Sequence, residues 1–180
     1  MADRPLRVAV LVDRLSNELE VLYPIWRLRE EGMEVRVLTR DGRPPGPGEN
    51  GMLMEKYIQA DGTIADARAD DYDAVVCPGG FSPDFLRTLP EVKEFVARMD
   101  AQGKVVAAIC HGAWIPISAG IVRGRRLTSV PRIRDDVENA GAEWVDEEVV
   151  RDRNLITSRR PPDLGAFCRA IIAALQERAR

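Results

Sequence analysis

Apolar positions along this chain fall into two kinds of run. Arg7–Val12 (RVAVLV), Tyr72–Cys77 (YDAVVC) and Val105–Ile109 (VVAAI) are short and dense. Such runs suit strands buried on both faces of a parallel sheet, where neither face calls for polar alternation. Glu34–Thr39 (EVRVLT) predicts a further strand. Other stretches repeat at helical spacing. Leu19, Leu22, Ile25, Trp26 and Leu28 mark one face of a helix over 18–31, stopped by Gly32, with Pro24 as a point of kinking or restart. Val92, Phe95, Val96 and Met99 predict a helix over 90–102, and positions 164, 167, 168, 171, 172 and 175 predict the last one, over 163–178. Strand, helix and strand within the first forty or so residues predict a β-α-β unit, hence an α/β protein with a doubly wound parallel sheet.

The remaining segments are weaker. Asp41–Gly51 (DGRPPGPGENG) is rich in Pro and Gly and reads as a loop or simple linker. Asp61-Gly62 inside Tyr57–Ile64 predicts a small hairpin at the sheet edge. Pro78-Gly79-Gly80 ends the third dense run abruptly, and Pro83–Leu86 starts a short helix. Two glycines at a strand's C-terminal end let backbone N–H groups approach a ligand closely. Arg125–Ser129 reads as a short strand and Ile133–Ala140 as a helix ending at Gly141. Glu143–Val150 and Asn154–Ser158 read as an antiparallel pair about Asp152-Arg153.

The chemistry concentrates in Lys104–Gly120 (KVVAAICHGAWIPISAG). A buried strand runs into Cys110, His111 and Gly112, and a helix over 113–119 follows, capped by Gly120. A thiol at a sharp strand-to-helix turn is the arrangement of a nucleophile elbow, usually written with Ser as G-x-S-x-G. Small neighbours let the chain fold back without Cβ clashes. At a helix N-terminus the positive end of the dipole favours thiolate. His111 is the chain's sole histidine, and its place directly after the thiol makes it a member of the same site. Cys168 lies on the apolar stripe of the last helix and Cys77 ends a buried strand; both read as packing residues.

Composition narrows the class. At 180 residues the chain can bury one full core, and a single domain over 1–180 is expected. A net charge of −3 gives no basis for binding nucleic acid or an anionic membrane. No apolar stretch approaches transmembrane length, and MADRPLRVAV lacks the apolar core of a signal peptide. Three cysteines without close spacing do not build a disulfide framework. The expected setting is the cytoplasm, with reduced thiols. Arg159 and Arg160 follow a strand end, where an arginine could hold an anionic group, although the basic residues are scattered among acids.

Several cysteine chemistries are excluded by what the sequence lacks. A papain-like or glutamine amidotransferase site needs a His distant in sequence from its Cys. There is no C-x-x-C, no G-x-G-x-x-G and no P-loop. One His beside one Cys does not make a zinc site. A cofactor-free, metal-free cysteine centre remains.

The segments ELEVLYPIWRLREEGMEV, DAVVCPGG, AAICHGAWIPISAGIVRGRRLTS, IRDDVENAGAEWVDEEVV and NLITSRRPPDL resemble the PfpI family. This is the intracellular protease I or PfpI-type protein deglycase group, within the superfamily of the Parkinson-disease protein deglycase. The resemblance runs from Arg7 to about Leu175. It implies a three-layer, flavodoxin-like fold of the class I glutamine amidotransferase type, with no cofactor. It implies that Cys110 is the nucleophile, His111 its neighbouring histidine, and Glu20 the carboxyl that hydrogen-bonds the thiol. Gly79, Gly80 and the backbone of His111 fall at the oxyanion and substrate-binding positions. Asp84 falls where the family usually has a Glu, contributed across a subunit interface to orient the histidine. Ala113 replaces a common Pro, Val130 a frequent aromatic, and Asn50 a frequent His.

The activities implied are removal of early glycation adducts from proteins, conversion of methylglyoxal to lactate, and peptide hydrolysis, all opening with thiolate attack on an electrophilic carbon. The leading expectation is a stress-protective enzyme acting on 2-oxoaldehydes or glycated proteins and peptides. It would self-associate as a dimer or higher homo-oligomer and bind neither nucleic acid nor membrane. An intracellular cysteine peptidase is the first alternative. A non-catalytic redox-sensing or chaperone-like protein, oxidised at Cys110, is the second.

Overall fold

The computed structural model describes residues 4–179. The strands are β1 (Arg7–Leu11), β2 (Glu34–Thr39), β3 (Gly62–Thr63), β4 (Ala74–Cys77), β5 (Val105–Ile109), β6 (Arg126–Leu127), β7 (Glu143–Trp144), β8 (Val149–Asp152) and β9 (Leu155–Ser158). The helices are α1 (Glu18–Glu30), α2 (Ser82–Leu86), α3 (Pro90–Ala101), α4 (Trp114–Ser118), α5 (Arg134–Asn139) and α6 (Leu164–Ala179). Seven strands form one sheet in the order β3-β2-β1-β4-β5-β9-β8. All pair in parallel except β8, which runs antiparallel to β9.

Alternate residues of the dense runs enter different cores. Val8, Val10, Val76, Val105, Ala107 and Ile109 pack with α1 and α6. Ala9, Leu11, Val75, Cys77, Val106 and Ala108 pack with α3, α4 and α5. The sheet is therefore covered on both sides, which is why its central strands carry no polar alternation. The chain is a three-layer α/β sandwich of the flavodoxin-like kind. No helix among the described residues is long and apolar enough to cross a membrane.

Three local expectations are corrected. Tyr57–Ile64 is not a hairpin: β3 pairs in parallel with β2, Leu38 opposite Gly62 and Thr39 opposite Thr63. The segment before it makes a 3-10 turn over Met54–Lys56 that sinks Met54 and Ile58 into the core. Asp61 then accepts the Val37 N–H through its side chain at 2.7 Å and donates its own N–H to Val37 O at 2.8 Å, doing a strand's work without being one. Glu143–Val150 is likewise not one strand. β7 pairs with β6 in a separate two-stranded sheet and β8 with β9. Between them Asp146 and Glu147 turn out to meet Arg159 and Arg126. Pro24 does not interrupt α1, which is continuous across it.

Candidate active site

At the C-terminal end of β5 the chain turns through Cys110, whose φ of +60° is left-handed, a region that side chains with a Cβ rarely enter. Holding a non-glycine there costs about 1–3 kcal/mol, met by the packing around it. A 3-10 turn over Cys110–Ala113 leads into α4. The tightness of the fold-back is visible at Gly112, where a Cβ would lie 2.0 Å from Cys77 O. The elbow expected from the sequence is present, shorter and more strained than a plain helix start.

Glu20 reaches the thiol from α1. Asn17 caps this helix, accepting the Glu20 N–H at 3.2 Å. An Asn followed three residues later by Glu is the pattern of a capping box, in which the Glu side chain would return to the cap's own N–H. Here Asn17 N donates instead to Gly79 O at 3.1 Å. The Glu20 carboxyl is thereby free to turn inward. It is fully buried, its Oε2 accepts the Gly79 N–H at 2.8 Å, and its Oε1 has no hydrogen-bond partner among the described residues. Burial pushes this carboxyl up to about 8, against the pull of the Gly79 N–H and, more weakly, of the Cys110 thiol, and with a further push from Glu49. Gly79 must be glycine, since a Cβ would lie 2.6 Å from Glu20 Oε2 and 2.7 Å from Cys110 Cβ.

Burial also pushes the Cys110 thiol up, to about 12, and a charged Glu20 adds to the rise. The backbone N–H groups of His111 and Gly80, both donating toward the sulfur, act the other way. The expectation that the helix position alone would favour thiolate is therefore not met. Instead two acids share one enclosed space, and ionising both there is penalised. Such a pair loses its protons in two steps that belong to the pair. With the proton on Glu20 the repulsion is gone and the carboxyl can donate to sulfur.

His111 places Nδ1 3.4 Å from Cys110 Sγ and is half-buried, its ring centroid 5.0 Å from that of Trp114. Burial lowers its pKa, Glu49 raises it and Arg132 lowers it again, so the ring is held neutral. Asp84 is not brought to it. Asp84 is exposed on α2, and among the described residues its carboxylate makes no hydrogen bond or ion pair. Of the two glycines expected near the oxyanion, Gly79 commits its N–H to Glu20, while Gly80, at φ +77°, aims its N–H at the thiol.

The cleft over Cys110 has a volume of about 450 Å³ and is lined by Asn17, Glu20, Glu49, His111, Val130, Arg132 and Arg160 among others. Glu49, Arg132 and Asn17 are absent from the sequence expectations. Glu49 is delivered by the Pro/Gly-rich loop that reads as a linker. Buried Glu18 accepts from Asn50 N at 2.8 Å, Asn50 Nδ2 at 2.7 Å and Met52 N at 3.3 Å, tying that loop to the start of α1. Asn50 thus points to Glu18 and not into the cleft. Val130 packs with Ala113, Ile133, Cys110 and Trp114, so the two substituted positions lie side by side at the site. Two acids in the first turn of one helix, Glu18 and Glu20, are all that the sequence shows of this arrangement; their burial is not legible there.

The family model for the DJ-1/PfpI family matches residues 6–174. The chain belongs to the DJ-1/PfpI family. Within it, Deglycase PfpI of Pyrococcus furiosus is 41% identical over 174 residues, covering 95% of this chain and 100% of that protein. A Bacillus subtilis protein, YraA, named provisionally as a cysteine protease, is 37% identical over 94% of this chain and 98% of its own. Among solved structures, a two-domain protein of Anabaena variabilis with DJ-1/ThiJ/PfpI-like and ferritin-like domains superposes with a TM-score of 0.88 at 41% identity. It covers 95% of this chain, which spans 48% of that one.

Proposed function

We propose that this protein is a cofactor-independent cysteine enzyme that acts on 2-oxoaldehydes or on the early adducts they leave on proteins. One observation carries the reading: a strained Cys110 stands between two backbone N–H donors and a buried carboxyl whose pKa is raised to about 8. That set suits attack on an electrophilic carbonyl. The sulfur of Cys110 bonds to the aldehyde carbon while the pair's proton rests on Glu20. The carbonyl oxygen gains the electron pair between the Gly80 and His111 N–H groups and takes that proton, giving a hemithioacetal. His111, neutral, can then take the proton from the former aldehyde carbon as the ketone oxygen is protonated, giving an enediol, and return a proton to the former ketone carbon as the hydroxyl on the sulfur-bearing carbon loses its own. The resulting thioester is hydrolysed by water to a 2-hydroxy acid, which frees the thiol. With an amino-group adduct, the same attack displaces the amine. The name of the Pyrococcus furiosus relative supports deglycation.

The Bacillus subtilis relative keeps a peptidase reading in play. Against it, no carboxylate hydrogen-bonds His111 among the described residues, where Glu49 acts on the ring only through its charge, so a Cys-His-acid relay is incomplete in one copy. We propose that Asp84 completes it from a neighbouring copy. Incubation with methylglyoxal, with lactate quantified, tests the first reading. Lactate formed by wild type and lost in Cys110→Ser is expected; peptide cleavage dependent on Cys110 with no lactate would replace it.

A further inference from the structure

Two arginines line the Cys110 cleft without a partner. Arg132 lies in the turn Pro131–Ile133, and Arg160 follows β9 directly before the turn Pro161–Asp163. Both are exposed, and among the described residues neither guanidinium forms an ion pair or a hydrogen bond. Their neighbours differ. Arg159 is held between Asp163 at 2.9 Å and Asp146 at 2.7 Å, and Arg134 meets Glu138 at 2.8 Å. Carboxylates are thus within reach of adjacent positions, yet these two cations are left for the cleft.

Their backbones are set. Arg160 is extended, φ −158° and ψ 167°, as a residue before proline must be, and its carbonyl accepts the Asp163 N–H at 2.9 Å. Arg132 follows Pro131 in a turn whose Ile133 is buried. The cleft's half-buried carboxylate, Glu49, already accepts from Asn17 Nδ2 at 2.5 Å. With Glu20 protonated and His111 neutral, the two guanidiniums balance Glu49 and a Cys110 thiolate, where without them the cleft would repel an anion. A guanidinium's planar fork matches a carboxylate or phosphate and binds it bidentately.

We propose that Arg132 and Arg160 form an anion clamp at the mouth of the Cys110 cleft, selecting carbonyl substrates that carry a carboxylate or phosphate close to the reacting carbon. The proposal rests on the reading of Cys110 as a carbonyl-attacking thiol, and it names the substrate class that reading leaves open.

Iodoacetate and iodoacetamide test it. Both alkylate a thiolate by displacing iodide and they differ chiefly in charge, so the ratio of their rates at Cys110 cancels any change in thiol ionisation. The iodoacetate-to-iodoacetamide ratio is expected to fall roughly threefold to tenfold in the double variant Arg132→Ala, Arg160→Ala. It should be largely restored by Lys at both positions and should fall with added salt in wild type. Protection of Cys110 by inorganic phosphate at lower concentration than by malonate assigns the clamp to phosphate; the reverse order assigns it to carboxylate. An unchanged ratio in the double variant, or protection by neither anion, overturns the clamp. Alkylation needs no turnover. A protein that keeps the ratio but makes no lactate from methylglyoxal therefore loses the 2-oxoaldehyde reading and not this one.

Discussion

Glu20 is the residue on which the site's energetics turn. A carboxyl raised from 4.5 to about 8 stays protonated in the folded protein over a pH range where the unfolded chain ionises. The folded state then binds more protons than the unfolded one, so stability falls as pH rises from about 4.5 towards 8. Glu20→Gln keeps an acceptor for the Gly79 N–H and removes this cost. Urea denaturation at pH 5 and pH 8 should show wild type losing stability at the higher pH, on the order of a few kcal/mol at most, with the variant nearly flat in that window. The same variant should turn over methylglyoxal far more slowly, because the amide has no proton to give. A variant with the wild-type pH slope would show that the carboxyl ionises normally.

Among the elements, the start of α1 and the loop it holds matter most. Glu18, in the same first turn as the thiol's partner, is a buried acid of the opposite kind. Burial acts to raise its pKa, but the bonds from Asn50 and Met52 outweigh it and the net shift is downward. Its stabilising contribution is therefore present above about 4.5 and lost as pH falls through the lowered value. Glu18→Gln sets an amide NH2 against Asn50 Nδ2, so the 48–52 loop should loosen. Hydrogen exchange at the Asn50 and Met52 amides is expected to speed roughly tenfold or more at neutral pH, with β1 unaffected. Equal protection in both proteins would mean that the loop is held by something else. This loop also shows where sequence reading stops. The dense apolar runs and the Cys-His-Gly turn are local patterns, so the sheet core and Cys110 are legible along the chain. What docks a Pro/Gly-rich segment is a side chain some thirty residues away, and composition carries no trace of it. Asp61-Gly62 misleads for a related reason: the dipeptide suits a hairpin, but the core burial of Met54 and Ile58 decides the path instead.

The whole molecule is incomplete at one point if His111 needs a carboxylate. Asp84 is exposed and unpaired on α2, a helix packed against the Cys110 turn. A two-fold assembly that places it beside the partner's His111 gives a defined expectation. When Cys110→Ser and Asp84→Ala copies exchange at random, half the dimers are mixed, and each mixed dimer has one site with both lesions and one with neither. About a quarter of wild-type activity should return. No recovery, with Asp84→Ala inactive alone, would place Asp84 in its own subunit's site; a fully active Asp84→Ala would remove it from the mechanism.

The claim beneath all of these is that Cys110 and Glu20 ionise as a pair. The rate of Cys110 alkylation by iodoacetamide against pH, read by mass spectrometry, tests it directly. Coupling predicts that this profile moves to lower pH in Glu20→Gln, where no carboxylate repels the thiolate, while Cys77 and Cys168, shut in by burial, stay unlabelled in both folded proteins. The same profile in wild type and Glu20→Gln, or equal labelling of all three thiols, would contradict it.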